Sequence, residues 1–452
     1  MVPSSVKPFD KTLKTRAFRS SAWTTAGYGI GQALRFAGNL VLAWFLVPED
    51  FGLMALVTIF LQALQMFSDI GIGPSLIQNR RDDAGFVNTV WTIQVLRGLI
   101  LWLVACLIAW PVSVIWRAPE LVYLLPVAGV TAIIHGFAST HLFTLQRRLL
   151  TKPQAILEPA AQLVGLLAMV FWVSYPVSRS VWALVAGGIV SSCFRTLATH
   201  FLLKGVGNRF YLDRAAVWEL IRFGRWLFLS TIITFLAAQT ANLIYGVLMS
   251  PAALGVFWIG IQLALVLPNL VKQIGGRVVF PLLSEVYRRD QSTFGHRLLR
   301  VRMLVVIPSV LGLGVLAWIS MLFFDLLLPD RFLGAAWVVQ VMAINSMAGM
   351  VNSSYGHAYL ASGRTLSNMV SVAGQLVIVV VSTLAGYYIG GESGFIIGLG
   401  ISQWLKYPLD GALAASGGFW QWKFDVSILV LSVMLALLSL WGSNWMIRTW
   451  VL

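Results

Sequence analysis

The sequence has little charge. Only 11% of its 452 residues are Asp, Glu, Lys or Arg, while 58% are hydrophobic. A soluble domain carries about 25% charged residues. So few polar groups cannot cover a water-facing surface, which excludes a soluble globular fold and puts lipid on the outside. Cysteine is scarce too: Cys106 and Cys193 are the only two, and both lie inside apolar runs. That excludes a disulfide framework and a cysteine metal centre, and both read as small packing residues. His135, His141, His200 and His357 stand at no metal-ligand spacing. No metal and no cofactor is expected. Long polar stretches are also missing: the longest connections, near 205–216 and 286–296, run to about a dozen residues. Catalysis outside a membrane needs more scaffold than this, so an enzyme is not expected. A cleavable leader is not evident. Residues 1–19 are polar and basic, and the first apolar run is about twice as long as a signal-peptide core.

What is present is long apolar runs. A helix crosses a bilayer in about 20 residues. Thirteen runs of that kind are found, at roughly 20–47, 51–78, 86–116, 120–147, 155–175, 180–204, 216–249, 252–285, 293–324, 333–362, 366–388, 392–416 and 425–446. The basic residues fall between them and alternate. One set of connections holds 19 Lys and Arg, from Lys7, Lys11 and Lys14 through Arg80, Arg147, Lys204, Arg288 and Arg364 to Lys423. The other holds four: Arg117, Arg179, Arg331 and Arg448. The positive-inside rule then puts the N-terminus in the cytoplasm, and an odd number of crossings puts the C-terminus outside. The net charge of +15 is accounted for by this alternation, and a nucleic-acid partner is not expected.

The chain also repeats. At an offset of 203 residues, Gly38-Asn39-Leu40 falls on Ala241-Asn242-Leu243, and Pro48 to Gly52 falls on Pro251 to Gly255. Helices 1 and 2 thus correspond to helices 7 and 8. Six crossings lie between equivalents, an even number, so the halves run parallel. Transporters built this way place substrate near the midplane between repeats. The expected organisation is an all-α polytopic membrane protein. A six-helix lobe spans 1–204, a cytoplasmic linker 205–216 and a second six-helix lobe 217–416. One extra transmembrane helix lies in 417–452.

Several segments resemble a known family. Pro48-Glu49-Asp50-Phe51-Gly52-Leu53, Ser68-Asp69-Ile70-Gly71-Ile72-Gly73, Ile77-Gln78 and Asn88-Thr89-Val90-Trp91 carry the likeness in the first half. Phe223-Gly224-Arg225, Leu254-Gly255, Pro268, Arg277-Val278-Val279-Phe280-Pro281, Ser284 and Ser362-Gly363-Arg364 carry it in the second. Together, over about residues 15–415, the sequence resembles the polysaccharide transporter family. These are Wzx-type oligosaccharide flippases of the MOP superfamily, relatives of MATE exporters. The sequence departs at Asn242, where the family often has aspartate, and near Phe257, where it often has tyrosine. The resemblance implies two MATE-like lobes across a central cavity, alternating access, and an undecaprenyl-diphosphate-linked glycan as substrate. It implies a bacterial inner membrane, and polysaccharide polymerase and chain-length regulator as partners.

Charges inside the apolar runs are the candidates for substrate contact, because an intramembrane cation is rare without a role. Arg35 in helix 1, Arg97 in helix 3, and Lys272 and Arg277 in helix 8 are expected to meet the diphosphate. Ion pairing between helices is the plainer alternative, and Arg277 could snorkel. Arg195, Arg222, Arg225 and Arg302 read as snorkelling toward the cytoplasmic face. Asp69 matches Lys272 at the 203-residue offset, so it is the candidate for ion coupling, with a helix cap as the alternative. Asn39, Gln239, Asn242 and Asn352 are candidates for sugar hydroxyls, joined by Gln62, Gln65, Asn345, Ser353 and Ser354. Amides both donate and accept hydrogen bonds, although packing between helices is an equal alternative for each.

Three other functions compete. A MATE-like small-molecule exporter of cations would favour an acidic cavity, whereas the buried excess here is basic. A lipid II flippase is a close variant, but its fourteen-helix plan fits the thirteen runs less well. A glycan polymerase or ligase would need a catalytic external loop that this chain does not have.

Overall fold

The computed structural model describes residues 11–67, 84–147, 151–175, 179–201, 208–214, 217–218, 235–236 and 239–450. Among these residues the secondary structure is all helical, without a strand. The first half holds α1 (Lys11–Ala43), α2 (Pro48–Phe67), α3 (Ala84–Ile115) and α4 (Leu121–Gly136). It continues with α5 (His141–Arg147), α6 (Lys152–Val173) and α7 (Trp182–Phe201). After a helical stretch at 239–248 come α8 (Pro251–Ala264), α9 (Val266–Ile274) and α10 (Phe280–Arg289). The last elements are α11 (Phe294–Leu327), α12 (Gly334–Ala361), α13 (Thr365–Ser416) and α14 (Trp422–Trp450). Among the described residues, eight helices are long and apolar enough to cross a membrane. A ninth crossing forms if α8 and α9, bent by 42°, are one broken span. The 52-residue α13 is two arms folded back at Gly390 and Gly391, and Gly391 takes φ 59°, which suits glycine. The chain is a multi-pass α-helical membrane protein, and each of the thirteen apolar runs contains helix among the described residues.

Helix starts follow local chemistry. At α8 the Ser250 hydroxyl accepts from the Ala253 N–H at 3.3 Å and proline occupies the first turn. At α2, Asp50 Oδ2 accepts from the Val47 N–H at 3.2 Å, again with proline in the first turn. Each satisfies amide groups that have no partner inside the helix.

The chain packs as two compact units. One comprises 1–38 and 60–233; the other comprises 39–59 and 234–452. In the first, the end of α4 is tied down by Gln94 on α3. Its side-chain amide donates to the carbonyls of His135 (3.3 Å), Gly136 (2.9 Å) and Ala138 (3.0 Å). Helix α6 meets α7 through the Arg195–Glu158 ion pair at 2.8 Å, so Arg195 is held by a carboxylate rather than snorkelling.

In the second unit, the two copies of the repeat motif touch. The start of α2 crosses the start of α8 at Gly52 and Gly255. A Cβ on Gly52 would lie 1.8 Å from the Pro251 carbonyl oxygen, and one on Gly255 would lie 1.8 Å from that of Pro48. The contacts mirror each other, as a pseudo-two-fold relation between Pro48–Gly52 and Pro251–Gly255 requires. Next to this crossing, Arg331 donates to the Ala43 carbonyl at 2.8 Å and Trp44 Nε1 donates to the Leu327 carbonyl at 3.1 Å, which satisfies helix-end oxygens. The helix outside the repeat, α14, belongs to the same core: Ile428 packs with Val310, Leu313, Ala343 and Met347.

Candidate functional site

The eighth apolar run is not one regular helix. Between α8 and α10 it bends by 42°, runs through the short α9, and makes a π-helical turn over Gly275–Val279. Single π-turns and broken transmembrane helices occur at functional sites, because they free backbone groups and re-aim side chains. Lys272 lies on α9, between the bend and the π-turn. It faces a cavity of about 500 Å³ inside the second unit.

The cavity wall is mostly apolar and carries a cluster of polar side chains. Lys272, Asn345, Asn352, Ser353 and Ser354, all singled out by the sequence, line it together with Arg302, His357, Gln375, Gln403 and Lys406. The amides form a connected set. Asn352 Nδ2 donates to the Gln403 carbonyl at 2.8 Å and to its Oε1 at 3.1 Å. The Gln403 N–H donates to Asn345 Oδ1 at 3.0 Å, and its Nε2 donates to Gln375 Oε1 at 2.9 Å. Asn345 and Asn352 are seven residues apart on α12, which puts them on one face. Their donors and acceptors are therefore held in fixed directions, as recognition of a polar ligand requires.

Among the described residues, four basic side chains line the cavity and no carboxylate does. Two of them are held from behind. The Arg302 guanidinium, 1% exposed, donates from Nη2 to Asp425 Oδ1 at 2.5 Å, from Nε to Ser354 Oγ at 2.8 Å, and from Nη1 to Tyr355 and Gln421, each at 3.0 Å. Tyr355 completes the set by donating to Asp425 Oδ2 at 2.6 Å. Arg302 is thus a structural ion pair between α11 and α14, not a snorkelling residue. Lys406 pairs with the buried Asp410 at 3.3 Å. Lys272 has neither an ion pair nor a hydrogen bond among the described residues. It is the cation with capacity to spare.

The other expected residues are distributed differently. Arg35 on α1 is exposed and belongs to the first unit. Arg97 is also in the first unit, where its Nη2 donates to the Gln65 carbonyl at 2.6 Å. Asn39 is half-buried at the end of α1. Asn242 donates to Gln239 Oε1 at 2.8 Å, so these two amides bond to each other, and Asn242 Oδ1 is buried without a partner among the described residues. Arg277 has its backbone in the π-turn, and its side chain lies outside the described residues. Asp69, Arg222 and Arg225 also lie outside them.

The sequence alone did not single out Lys406, Asp410 or Asp425. The first two had a visible signal: opposite charges four residues apart, around Pro408, inside the apolar run 392–416. That spacing puts both on one helix face.

Comparison with known proteins agrees with this architecture. The family described as "Polysaccharide biosynthesis protein" matches residues 41–337. A membrane protein from the cps region of Klebsiella pneumoniae is 22% identical, covering 88% of this chain and 82% of the relative. The lipopolysaccharide biosynthesis protein WzxC of Escherichia coli is 22% identical, covering 78% of this chain and 71% of the relative. Among solved structures, the lipid II flippase MurJ in an inward closed conformation superposes with a TM-score of 0.69 at 11% identity, covering 95% of this chain and all of MurJ. An inward-facing MATE-family multidrug resistance transporter gives a TM-score of 0.56 at 14% identity, over 97% of each chain. These likenesses fix the fold as that of the MOP transporters. With the family match spanning most of the chain, this protein belongs to the polysaccharide biosynthesis protein family.

Proposed function

We propose that the protein is a flippase. It carries an undecaprenyl-diphosphate-linked oligosaccharide from the cytoplasmic to the periplasmic leaflet of the bacterial inner membrane by alternating access. The observation that carries this reading is Lys272: an ammonium on a broken membrane helix, unpaired among the described residues, facing a largely apolar cavity that carries a connected set of amides and whose described wall holds no carboxylate. The hard step in flipping such a lipid is moving a diphosphate and sugars through hydrocarbon while the tail stays in it. An ammonium offsets phosphate charge, and fixed amides replace the water around sugar hydroxyls.

Arg35, Arg97 and Arg277 are the further proposed phosphate contacts, and Asn39, Gln239, Asn242 and Asn352 the proposed sugar contacts. Asp69 is the proposed ion-coupling group. The lobes are taken as 1–204 and 217–416, joined by 205–216, with the extra helix in 417–452. The N-terminus is cytoplasmic, and polymerase and chain-length regulator are the proposed partners. A MATE-like exporter of cations does not suit a wall whose described charges are all basic. Lipid II keeps the diphosphate and changes the glycan.

The test is export in cells. Lys272→Ala is expected to abolish polymer at the cell surface while the protein still inserts, and Lys272→Arg to restore part of it. Normal export by Lys272→Ala at equal expression would refute the assignment.

A further inference from the structure

Another cation with a face on the cavity is Lys406, and its surroundings differ from those of Lys272. Lys406 is 9% exposed and lines the cavity wall. Behind it, one helical turn along α13, Asp410 is fully buried. Asp410 Oδ1 accepts from the Ser371 hydroxyl at 2.6 Å. Its Oδ2 accepts no hydrogen bond of good geometry and is met by the Lys406 ammonium at 3.3 Å. Ser371 itself lines the cavity, so one hydroxyl links the buried carboxylate to the space where a ligand would lie.

The remaining neighbours leave Asp410 dependent on Lys406. From α12, the Tyr359 hydroxyl donates to the Asp410 main-chain carbonyl at 2.8 Å, not to the carboxylate. His357, also on α12, lines the cavity. Arg302 and Asp425, on α11 and α14, satisfy each other. Among the described residues, Lys406 is therefore the one cation paired with this carboxylate. A buried carboxylate that loses its cation carries an uncompensated charge in low dielectric, and such a group neutralises by taking up a proton.

We propose that Lys406, Asp410 and Ser371 form a proton-linked anion site, in which a diphosphate entering the cavity draws the Lys406 ammonium away from Asp410 and Asp410 takes up a proton through Ser371. A proton from bulk solvent, relayed by cavity water that is left unchanged, reaches Ser371 Oγ as the Ser371 proton passes to Asp410 Oδ1. Before binding, the site holds one ammonium and one carboxylate. After binding, it holds the ammonium on the anion and a neutral carboxylic acid. Lys406 is then an anion-binding residue, and Asp410 is the positioning residue that also sets proton stoichiometry. The inference rests on the reading that this cavity holds the diphosphate head.

The experiment is calorimetric binding of UDP-glucose to the purified full-length protein in lipid nanodiscs. UDP-glucose is a soluble diphosphate diester with no phosphate ionisation near neutral pH. Titrations in two buffers of different ionisation heat give the proton count. The expected wild-type result is uptake of about one proton per ligand, with affinity falling by about tenfold per pH unit as pH rises wherever that uptake is complete. Asp410→Asn is expected to bind with no uptake and a flat pH profile, and Asp410→Glu to restore the slope. Lys406→Gln should weaken binding at least tenfold, and the slope should survive His357→Gln. A flat wild-type profile would overturn the proposal even if Asp410→Asn fails to fold. So would a slope that persists in Asp410→Asn, or one abolished by His357→Gln. If the wild type binds no UDP-glucose at all, the head-group reading itself falls. If it binds without linked protons, that reading stands and this one falls.

Discussion

Arg302 and Asp425 bury two full charges, at 1% and 0% exposure, and tie α11 to α14. Such a pair is stabilising only while both partners and their hydrogen bonds are present. Arg302→Met is therefore expected to cost about 3–5 kcal/mol, seen as a lower unfolding temperature in detergent. The double replacement Arg302→Met with Asp425→Leu should recover much of that loss. A double variant as damaged as the sum of the singles would show that the pair is not coupled. The arginine was visible in the sequence, but its role was not. A cation within a few turns of the cytoplasmic face reads as snorkelling, and its partner lies 123 residues away. Only the packing of α14 beside α11 brings them together. Lys272 was legible because it stands in the middle of an apolar run, where a charge is costly wherever the helix packs. Asn345 and Asn352 were legible as polar positions on one helix. That they bond to Gln403 depends on how the second arm of α13 folds back.

At the scale of elements, the repeat found in the sequence has a physical counterpart. Pro48–Gly52 and Pro251–Gly255 match because the two helix starts cross at their glycines, each pressed against the other's proline carbonyl. Alanine at Gly52 needs a backbone shift, and overpacking of that kind costs about 1–3 kcal/mol or more. Gly52→Ala is expected to lower thermal stability and folded yield. Gly188 on α7 has open space for 4 Å around the position a Cβ would take, so Gly188→Ala should be neutral or stabilise by up to about 1 kcal/mol. Equal thermal shifts for the two variants would contradict the close crossing. The break in the eighth run was less legible. Residues 252–285 are a continuous apolar run, and hydropathy does not distinguish a straight helix from α8, α9 and the π-turn. Pro268 is the one local hint, and it lies a few residues past the bend.

At the scale of the whole molecule, the charge of the proposed substrate sets the predicted direction of transport. A diphosphate diester carries about two negative charges. Moving one charge through 100 mV is worth about 2.3 kcal/mol, so outward movement of two from a negative interior is favourable by roughly 4–5 kcal/mol. This holds if Lys272 and Lys406 stay in place in the field while access alternates. If one proton accompanies the anion on Asp410, the net transfer is one negative charge, and the bias falls to about 2.3 kcal/mol per 100 mV. The electrical driving force and the proton count are thus linked: an Asp410→Asn protein that still transports should respond about twice as steeply to voltage as the wild type. The central claim is that this chain moves a diphosphate-linked glycan across a bilayer. It is tested most directly in proteoliposomes loaded in one leaflet with an undecaprenyl-diphosphate-linked oligosaccharide and given a potassium-diffusion potential. Transfer is read as glycan becoming accessible to a glycosidase on the opposite side. The account predicts protein-dependent transfer that speeds or slows with the sign of the potential and is lost in Lys272→Ala. Glycan accessibility no greater than in protein-free vesicles, with the wild-type protein folded and the potential present, would contradict it.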